Sequence, residues 1–417
     1  MRPRPFFYRV TAALAVLVGA LSLTACASSP SSSQPAASGS ATAASGGAPA
    51  ASGGATAASG SAPAATASAQ AAAAGGAVSS ALKARVQALL ADPTGVGRTT
   101  ALTHKPATGK FIVGIGNPIS TSLVTGSGQA AGARLLGWKY ETIQEGTGPE
   151  DPEQALNLAI ALKPSGIIYY TSPRQSMAVG LAKAKAAGIP IVTSATPDAN
   201  PPASPIIAQY NDSAAQLAPI GVGLADYVAV NSNLGANVAL VTLPVYSVLQ
   251  AFDNSFQREL KADCSKCTIT QVPQQLTDLG TVTPTSVVNA IRRDPQINYV
   301  IFDCGCAAAG VSSALHAAGL NSIVIGGEGP LTPSIKELQQ GQNEVWGALP
   351  LESMGFGLID TFARYFNGQS LSPIVTEPSS WQILTRSNIA SAHFDSQDNY
   401  IGYADYASAW AKLWRVN

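Results

Sequence analysis

The chain has 417 residues, 24 basic and 24 acidic, with 46% hydrophobic and only 12% charged side chains. Balanced charge without a basic patch argues against nucleic acid as a partner. After a leader and a low-complexity stretch, enough chain is left for two ordinary domains with real cores.

Arg2, Arg4 and Arg9 give the chain a positive head, and residues 11–23 form an apolar stretch. That stretch is shorter than the roughly 20 residues a spanning helix needs. Small residues and Cys26 follow, a layout that predicts an export signal over residues 1–25. Leu23-Thr24-Ala25-Cys26 resembles the lipobox of bacterial lipoproteins. The resemblance implies cleavage before Cys26, acylation of its sulfur, and a mature chain anchored to membrane lipid on the extracytoplasmic face of the cell membrane. Two acyl chains suffice for stable anchoring where one is marginal. Three basic residues leave with the signal, so the mature chain is slightly acidic. No second membrane-spanning candidate follows.

Residues 26–108 read as a linker. From 27 to about 80 the chain is almost entirely Ala, Ser, Gly, Pro and Thr, with no charged residue. Small side chains bury too little area to offset their ordering entropy, so the stretch predicts a flexible spacer. Residues 80–92 (SALKARVQALLAD) predict a short amphipathic helix, followed by another loose stretch to about 109.

Beyond that point strands and helices alternate. Buried strands are predicted at 111–115 (FIVGI), 139–143, 166–170 (GIIYY), 189–193 and 206–209, with helices at 127–136, 151–162 and 174–187 between them. Asp151 is placed as N-cap of its helix, with Pro152 after it and Gln154 completing a capping box. A second set begins with a helix from Asp212 or Ser213 through Tyr227. Strands follow at 237–242, 268–271, 298–303, 323–326 and 344–349, with helices at 247–262, 283–292, 307–318, 332–340 and 353–367. Residues 381–417 add one strand and a helix at 405–414. The order predicts an α/β protein with two doubly wound, Rossmann-like parallel-sheet lobes. Ligands of such sheets bind beyond the carboxyl ends of the strands. No Gly-rich phosphate loop is present.

Several segments together resemble the periplasmic-binding-protein type 1 family, in its ribose/galactose-type subgroup of sugar ABC transporter substrate-binding lipoproteins. They are Phe111-Ile-Val-Gly-Ile-Gly-Asn117-Pro118, Lys163-Pro-Ser-Gly-Ile-Ile-Tyr-Tyr170, Ala184-Lys-Ala-Ala-Gly188-Ile-Pro190-Ile-Val192 and Ile323-Val-Ile-Gly326-Gly-Glu328-Gly. Met354-Gly355 with Asp360, Arg364 and Gly368, and the ending Lys412-Leu413-Trp414, add to them. The resemblance implies a monomeric protein that captures a small-molecule solute in an interlobe cleft and delivers it to ABC permease subunits, with no cofactor and no catalysis. A sensor of the same fold, signalling to a receptor kinase, is the alternative. It also implies a three-crossover hinge, placed near Asn211, at 331–351 and at 379–388. The N-terminal lobe is then 109–211 plus 350–382, and the C-terminal lobe 212–349 plus 383–417.

The typical ligand of that subgroup is a monosaccharide held by Asp, Asn and Arg. This chain departs from the pattern. Cys306 stands where an Asp is expected, the helix after Tyr246 lacks the expected Arg, and Glu328 replaces an Asp. Fewer charged partners suit a less hydroxylated or partly apolar solute.

The ligand-binding candidates are Asn117, Thr171, Ser172, Arg174, Tyr210, Asp212, Tyr246, Asp303, Cys306, Glu328 and Glu352. Each has a plainer alternative. Asn117 can be a turn residue, Asp212 and Asp303 helix caps, Arg174 a solvated first-turn residue, and Glu328 a hinge brace. Tyr246 is a candidate aromatic platform. Trp138, Trp346, Trp410 and Trp414 read as packing residues.

In an oxidising compartment Cys264 with Cys267, and Cys304 with Cys306, are expected to form two local disulfides. The pairs fall at opposite ends of their strands, so one four-cysteine metal site is not expected. His104, His316 and His393 are scattered and assemble no metal or catalytic set.

Overall fold

A computed structural model describes residues 77–416, apart from 118–119, 147, 149, 197–203, 211–215 and the side chains of Ser120 and Ser247. The predicted export signal, Cys26 and most of the spacer lie outside the described residues, as do Asn211 and Asp212. Helix α1 spans Ser80–Leu90, and the Oγ of its N-cap Ser79 accepts from the Leu82 amide at 3.2 Å.

The first sheet is fully parallel. It holds β1 (Phe111–Gly116), β2 (Lys139–Gln144), β3 (Gly166–Tyr170), β4 (Ile191–Ser194) and β5 (Ile206–Tyr210), ordered β2-β1-β3-β4-β5. The apolar runs of β1, β3 and β4 are buried, as parallel strands sandwiched by helices must be. On one face α3 (Asp151–Ala161) and α4 (Ala178–Ala186) cover Val113, Ile115, Ile167 and Tyr169, which form a core of their own.

Helix α2 (Ser120–Leu135) begins well before the predicted 127. Its Ser, Thr, Val and Gly residues are weak helix formers, but tertiary contact overrides propensity. A Cβ on Gly128 would come within 1.9 Å of the Glu352 carbonyl oxygen, so glycine is what lets α2 approach its neighbour there. Asp151 does not build the predicted capping box. It is the first helical residue, and its Oδ2 accepts from the Gly148 amide at 2.7 Å, serving the loop before the helix.

The second sheet contains β6 (Asn237–Thr242), β7 (Thr268–Pro273), β8 (Tyr299–Phe302), β9 (Val324–Glu328) and β10 (Glu344–Ala348), with β11 (Gln382–Thr385) antiparallel at its edge. Its order is β11-β10-β9-β8-β6-β7. Helices α5 (Ala218–Asn231) and α6 (Gln250–Asp263) cover one face, α7 (Val282–Arg293) and α8 (Val311–Ala317) the other, and α9 (Thr332–Gln339) connects β9 to β10. Both α6 and α8 are preceded by short 3-10 turns, Ser247–Leu249 and Gly305–Ala308, where sequence periodicity predicts continuous helix.

Helix α9 and β10 belong to the second lobe, so the second crossing is confined to Leu349 and Pro350. From there α10 (Leu351–Phe366) returns to pack on α2, and α11 (Pro373–Thr376) lies against β5. The final helix, α12 (Tyr406–Trp414), sits on α10. The expectation that 383–417 belongs wholly to the C-terminal lobe is thereby corrected. The reason is a buried polar anchor: the Trp414 indole donates to Asp360 Oδ1 at 2.9 Å, and the Trp410 indole to Ser353 at 3.0 Å.

The loose stretch expected before residue 109 is instead ordered against both lobes. On α1, Leu82 and Val86 are buried, and Arg85 pairs with Asp226 of α5. Farther on, Arg98 is buried beside Asp360 of α10, at 3.3 Å, and donates to the Glu377 carbonyl at 2.8 Å. Leu102 is fully buried, and its amide donates to the Leu413 carbonyl of α12 at 2.8 Å. Gly97 sits between, at φ +86°, where a Cβ would fall 2.1 Å from the Pro378 carbonyl oxygen. A few isolated buried side chains, Val96, Arg98 and Leu102 among them, in a polar, Gly-containing stretch carry too little periodicity to reveal such anchoring.

Candidate ligand cleft between the lobes

A cavity of about 100 Å³ lies between the carboxyl ends of the two sheets. Tyr170, Thr171 and Ala195 reach it from strand ends of the first lobe; Tyr246, Cys304, Cys306, Glu328 and Gly329 reach it from the second. Leu217, Leu349 and Leu351 come from the crossover segments, and Val248, Leu249 and Met354 complete an apolar wall. It is small beside the roughly 300–1,000 Å³ of most ligand pockets. A neighbouring cavity of about 190 Å³ shares Thr121, Leu349 and Leu351 with it and extends toward Tyr400.

The first-lobe wall is held in an uncommon backbone shape. Thr171 and Ala195 both have left-handed backbones, φ +59° and +51°, which non-glycine residues seldom adopt. Backbone hydrogen bonds fix them: the Thr171 amide donates to Ser194 O at 3.0 Å, and the Ala195 amide to Tyr210 O at 3.2 Å. Thr171 Oγ1 also accepts from Asn117 Nδ2 at 2.8 Å. Asn117 is therefore a buried support of the cleft wall.

Of the predicted residues, Thr171, Tyr246, Cys306 and Glu328 line the cleft together. The others are placed around it. Ser172 donates to Glu145 at 3.1 Å. Arg174 opens the 3-10 turn Arg174–Met177, and Asp212 lies outside the described residues. Tyr210 is buried and bonds Ser379 through its hydroxyl at 2.8 Å; Gln216 donates to Ser379 O at 3.2 Å. Tyr210 thus links the first crossing to the third. Asp303 is fully buried, and its Oδ2 accepts from the Leu243 amide at 2.7 Å, tying the β6 loop to the end of β8. Glu352 is not part of that lining; it lies close enough to Tyr406 of α12 to raise its phenol.

Glu328 is the one carboxylic acid among the described residues of the cavity lining, and it is only 8% exposed. Among the described residues no group hydrogen-bonds its carboxyl, and no lysine, arginine or histidine lines the cavity. Burial, with the nearby Asp303, pushes Glu328 up to about 8. Burial also raises Asp303 to about 8, and Glu145 to about 7. Glu145 stands at the end of β2, close enough to Tyr246 of the other lobe to raise its phenol.

Residues missed by sequence reasoning are mostly apolar: Leu217, Val248, Leu249, Leu349, Leu351 and Met354. Nothing in their local pattern separates them from core residues, because only the apposition of the two lobes and their crossings brings them to one cleft.

Cys264 and Cys267 are disulfide-bonded. The sulfurs of Cys304 and Cys306 are paired in the cleft wall. Among the described residues no helix is long and apolar enough to cross a membrane.

Comparison with known proteins agrees with this architecture. A family model described as periplasmic binding protein domain matches residues 121–370. No curated protein sequence matches the chain. Similar solved structures include a glucose-galactose binding protein from Geobacillus stearothermophilus, 18% identical, with TM-score 0.57 over 68% of this chain and 99% of that one. A solute binding protein from Actinobacillus succinogenes 130z with bound D-allose is 16% identical, with TM-score 0.59 over 68% and 99%. A periplasmic ribose ABC transporter protein from Conexibacter woesei is 16% identical, with TM-score 0.58 over 70% and 96%. At these identities the likeness is one of fold: two parallel-sheet lobes of periplasmic-binding-protein type 1. With the family model spanning the helices and strands of both lobes, the chain belongs to the periplasmic binding protein domain family.

Proposed function

We propose that this is an extracytoplasmic solute-binding lipoprotein that captures a small molecule between its lobes and presents it to the permease subunits of an ABC importer. The position of the cavity carries the reading. Strand-end loops of both lobes and the crossover segments all contribute to it. A solute held there touches both lobes, so it favours a closed arrangement by its differential affinity for that state. Binding alone suffices, and no bond in the solute changes. Acylation of Cys26 and the Ala/Ser/Gly-rich spacer would keep a monomeric clamp beside the membrane.

Solved structures of this fold are named for glucose-galactose, ribose and D-allose. Among the described residues the cleft offers one carboxyl and a mostly apolar wall, which favours a solute with fewer hydroxyls than a monosaccharide.

The direct test is mass spectrometry of small molecules released from the natively purified chain, followed by small-angle scattering with and without the molecule found. A stoichiometric ligand that compacts the protein supports the reading. A rigid body that releases nothing and responds to no member of a solute panel overturns it. Cys26→Ser should release the chain from the membrane fraction; unchanged membrane association would remove the lipid anchor.

A further inference from the structure

Resting on the cleft as the solute site, we infer that its ligand is a small organic cation, an ammonium group carried on an apolar or aromatic body. Three independent features lead there. Glu328 projects into the cavity almost wholly buried and without a hydrogen-bond partner among the described residues. A buried carboxyl left without a partner is costly, and a ligand that donates to it recovers that cost. Two tyrosines, Tyr170 from one lobe and Tyr246 from the other, line the same cavity, and aromatic faces attract ammonium groups. The remaining wall is mostly apolar: Leu217, Leu249, Leu351 and Met354 offer an organic body contact, and Thr121, Thr171 and Gln216 are its uncharged polar members.

Charge points the same way. The charge acting on Glu328 is that of Asp303, another acid. Its partners on the flanking strands, Gly347 and the Phe302 beside Gly327, are uncharged. Tyr170 stands within its electrostatic reach, and Glu145 faces Tyr246 from the first lobe. Among the described residues no basic side chain lines the cavity to receive a carboxylate or phosphate, and the charged group an anionic solute would meet there is Glu328.

Proton linkage follows. In the free protein burial holds Glu328 up to about 8, so at pH 7 it is mostly protonated. An ammonium placed beside it favours the carboxylate, and the displaced proton passes to the buffer. Cation uptake therefore releases protons at neutral pH, and affinity rises as pH approaches 8.

The experiment is titration calorimetry of the full purified chain with phenethylammonium, its neutral counterpart 2-phenylethanol, and D-ribose. Two buffers of different ionisation enthalpy report the protons released. We expect phenethylammonium to bind at least ~10-fold tighter than 2-phenylethanol at pH 8, with proton release at pH 7. Glu328→Gln should abolish that preference while still binding 2-phenylethanol. Equal or tighter binding of the alcohol or ribose overturns the cation inference while leaving the cleft a solute site. Proton release of zero in the unaltered protein overturns it too, whether or not the variant folds. Failure of all three probes to bind counts against the cation and against the cleft itself, whereas a ligand compacting the protein by scattering would rescue only the latter.

Discussion

Arg85 of α1 and Asp226 of α5 meet through two contacts, Nε to Oδ2 at 2.8 Å and NH2 to Oδ1 at 2.9 Å. The same guanidinium reaches Asp263 at 2.7 Å and Glu259 at 3.3 Å. One half-exposed cation thus bridges three clustered carboxylates, one of them 2% exposed. Arg85→Ala leaves Asp226 buried without its partner. Allowing for the exposure of Arg85, the expected loss is about 1–3 kcal/mol. Urea unfolding measures it, and a loss below experimental error would mean that the Arg85–Asp226 pair contributes nothing to the fold.

A buried ionic knot holds the other end of the same segment. Asp360 Oδ2 accepts from Arg364 at 2.8 Å and lies 3.3 Å from Arg98, while Oδ1 accepts from Trp414. All three charged side chains are at most 1% exposed. Asp360→Asn should cost about 3–5 kcal/mol by leaving two buried guanidiniums without a counter-charge. Equilibrium unfolding checks it; near-wild-type stability would refute the knot.

Stability should fall as pH rises from about 4 to about 8. Burial holds Glu145 and Asp253 up to about 7, and Asp303 and Glu328 up to about 8. In that window the folded protein keeps protons that the unfolded chain has released, so raising the pH favours unfolding. The Tm of the ligand-free protein is therefore expected to be higher at pH 5 than at pH 8.5. Glu328→Gln should flatten part of that slope; a slope of the opposite sign would contradict the burial of these acids.

Alkylation without reduction should label none of Cys264, Cys267, Cys304 and Cys306. Peptide mapping under non-reducing conditions reads both pairs separately. A labelled Cys304 or Cys306 would show the second pair to be free thiols, and the sulfur wall of the cleft to be reducible in the mature protein.

Tyr246→Ala removes a half-buried ring that lines the cleft and lies near Glu145 of the opposite lobe. Solute affinity should drop about 10-fold with little change in unfolding. Calorimetry and urea melts separate the two effects, and unaltered affinity would take Tyr246 out of the site.

The alternation of apolar runs with helical segments made the two sheets legible, because a buried parallel strand such as GIIYY admits few other readings. Glu328, Tyr246, Thr171 and Cys306 were legible as cleft residues because each ends or follows a strand at the ligand-binding edge. Glu352 was not: it lies beside the second crossing in sequence, yet its partner is Tyr406, over fifty residues away and visible only once α12 docks on α10. The same distance hides Arg98, whose counter-charge Asp360 is in another element. Tyr210 ends β5, and its hydroxyl is committed to Ser379, 169 residues away in the chain. Side chains whose role depends on a remote partner leave no local trace.

The segment before β1 has a mechanical corollary. Its footing on α5 and β11 ends near Asp92, whose Oδ1 accepts from Gln382, and its grip on α10 begins at Arg98. Six peptide links join those footholds, and a fully stretched run of that length spans roughly 20 Å. The stretch is a stay of fixed reach across the pivot: however far the jaws swing, that flank of the protein cannot gape wider than the cord allows.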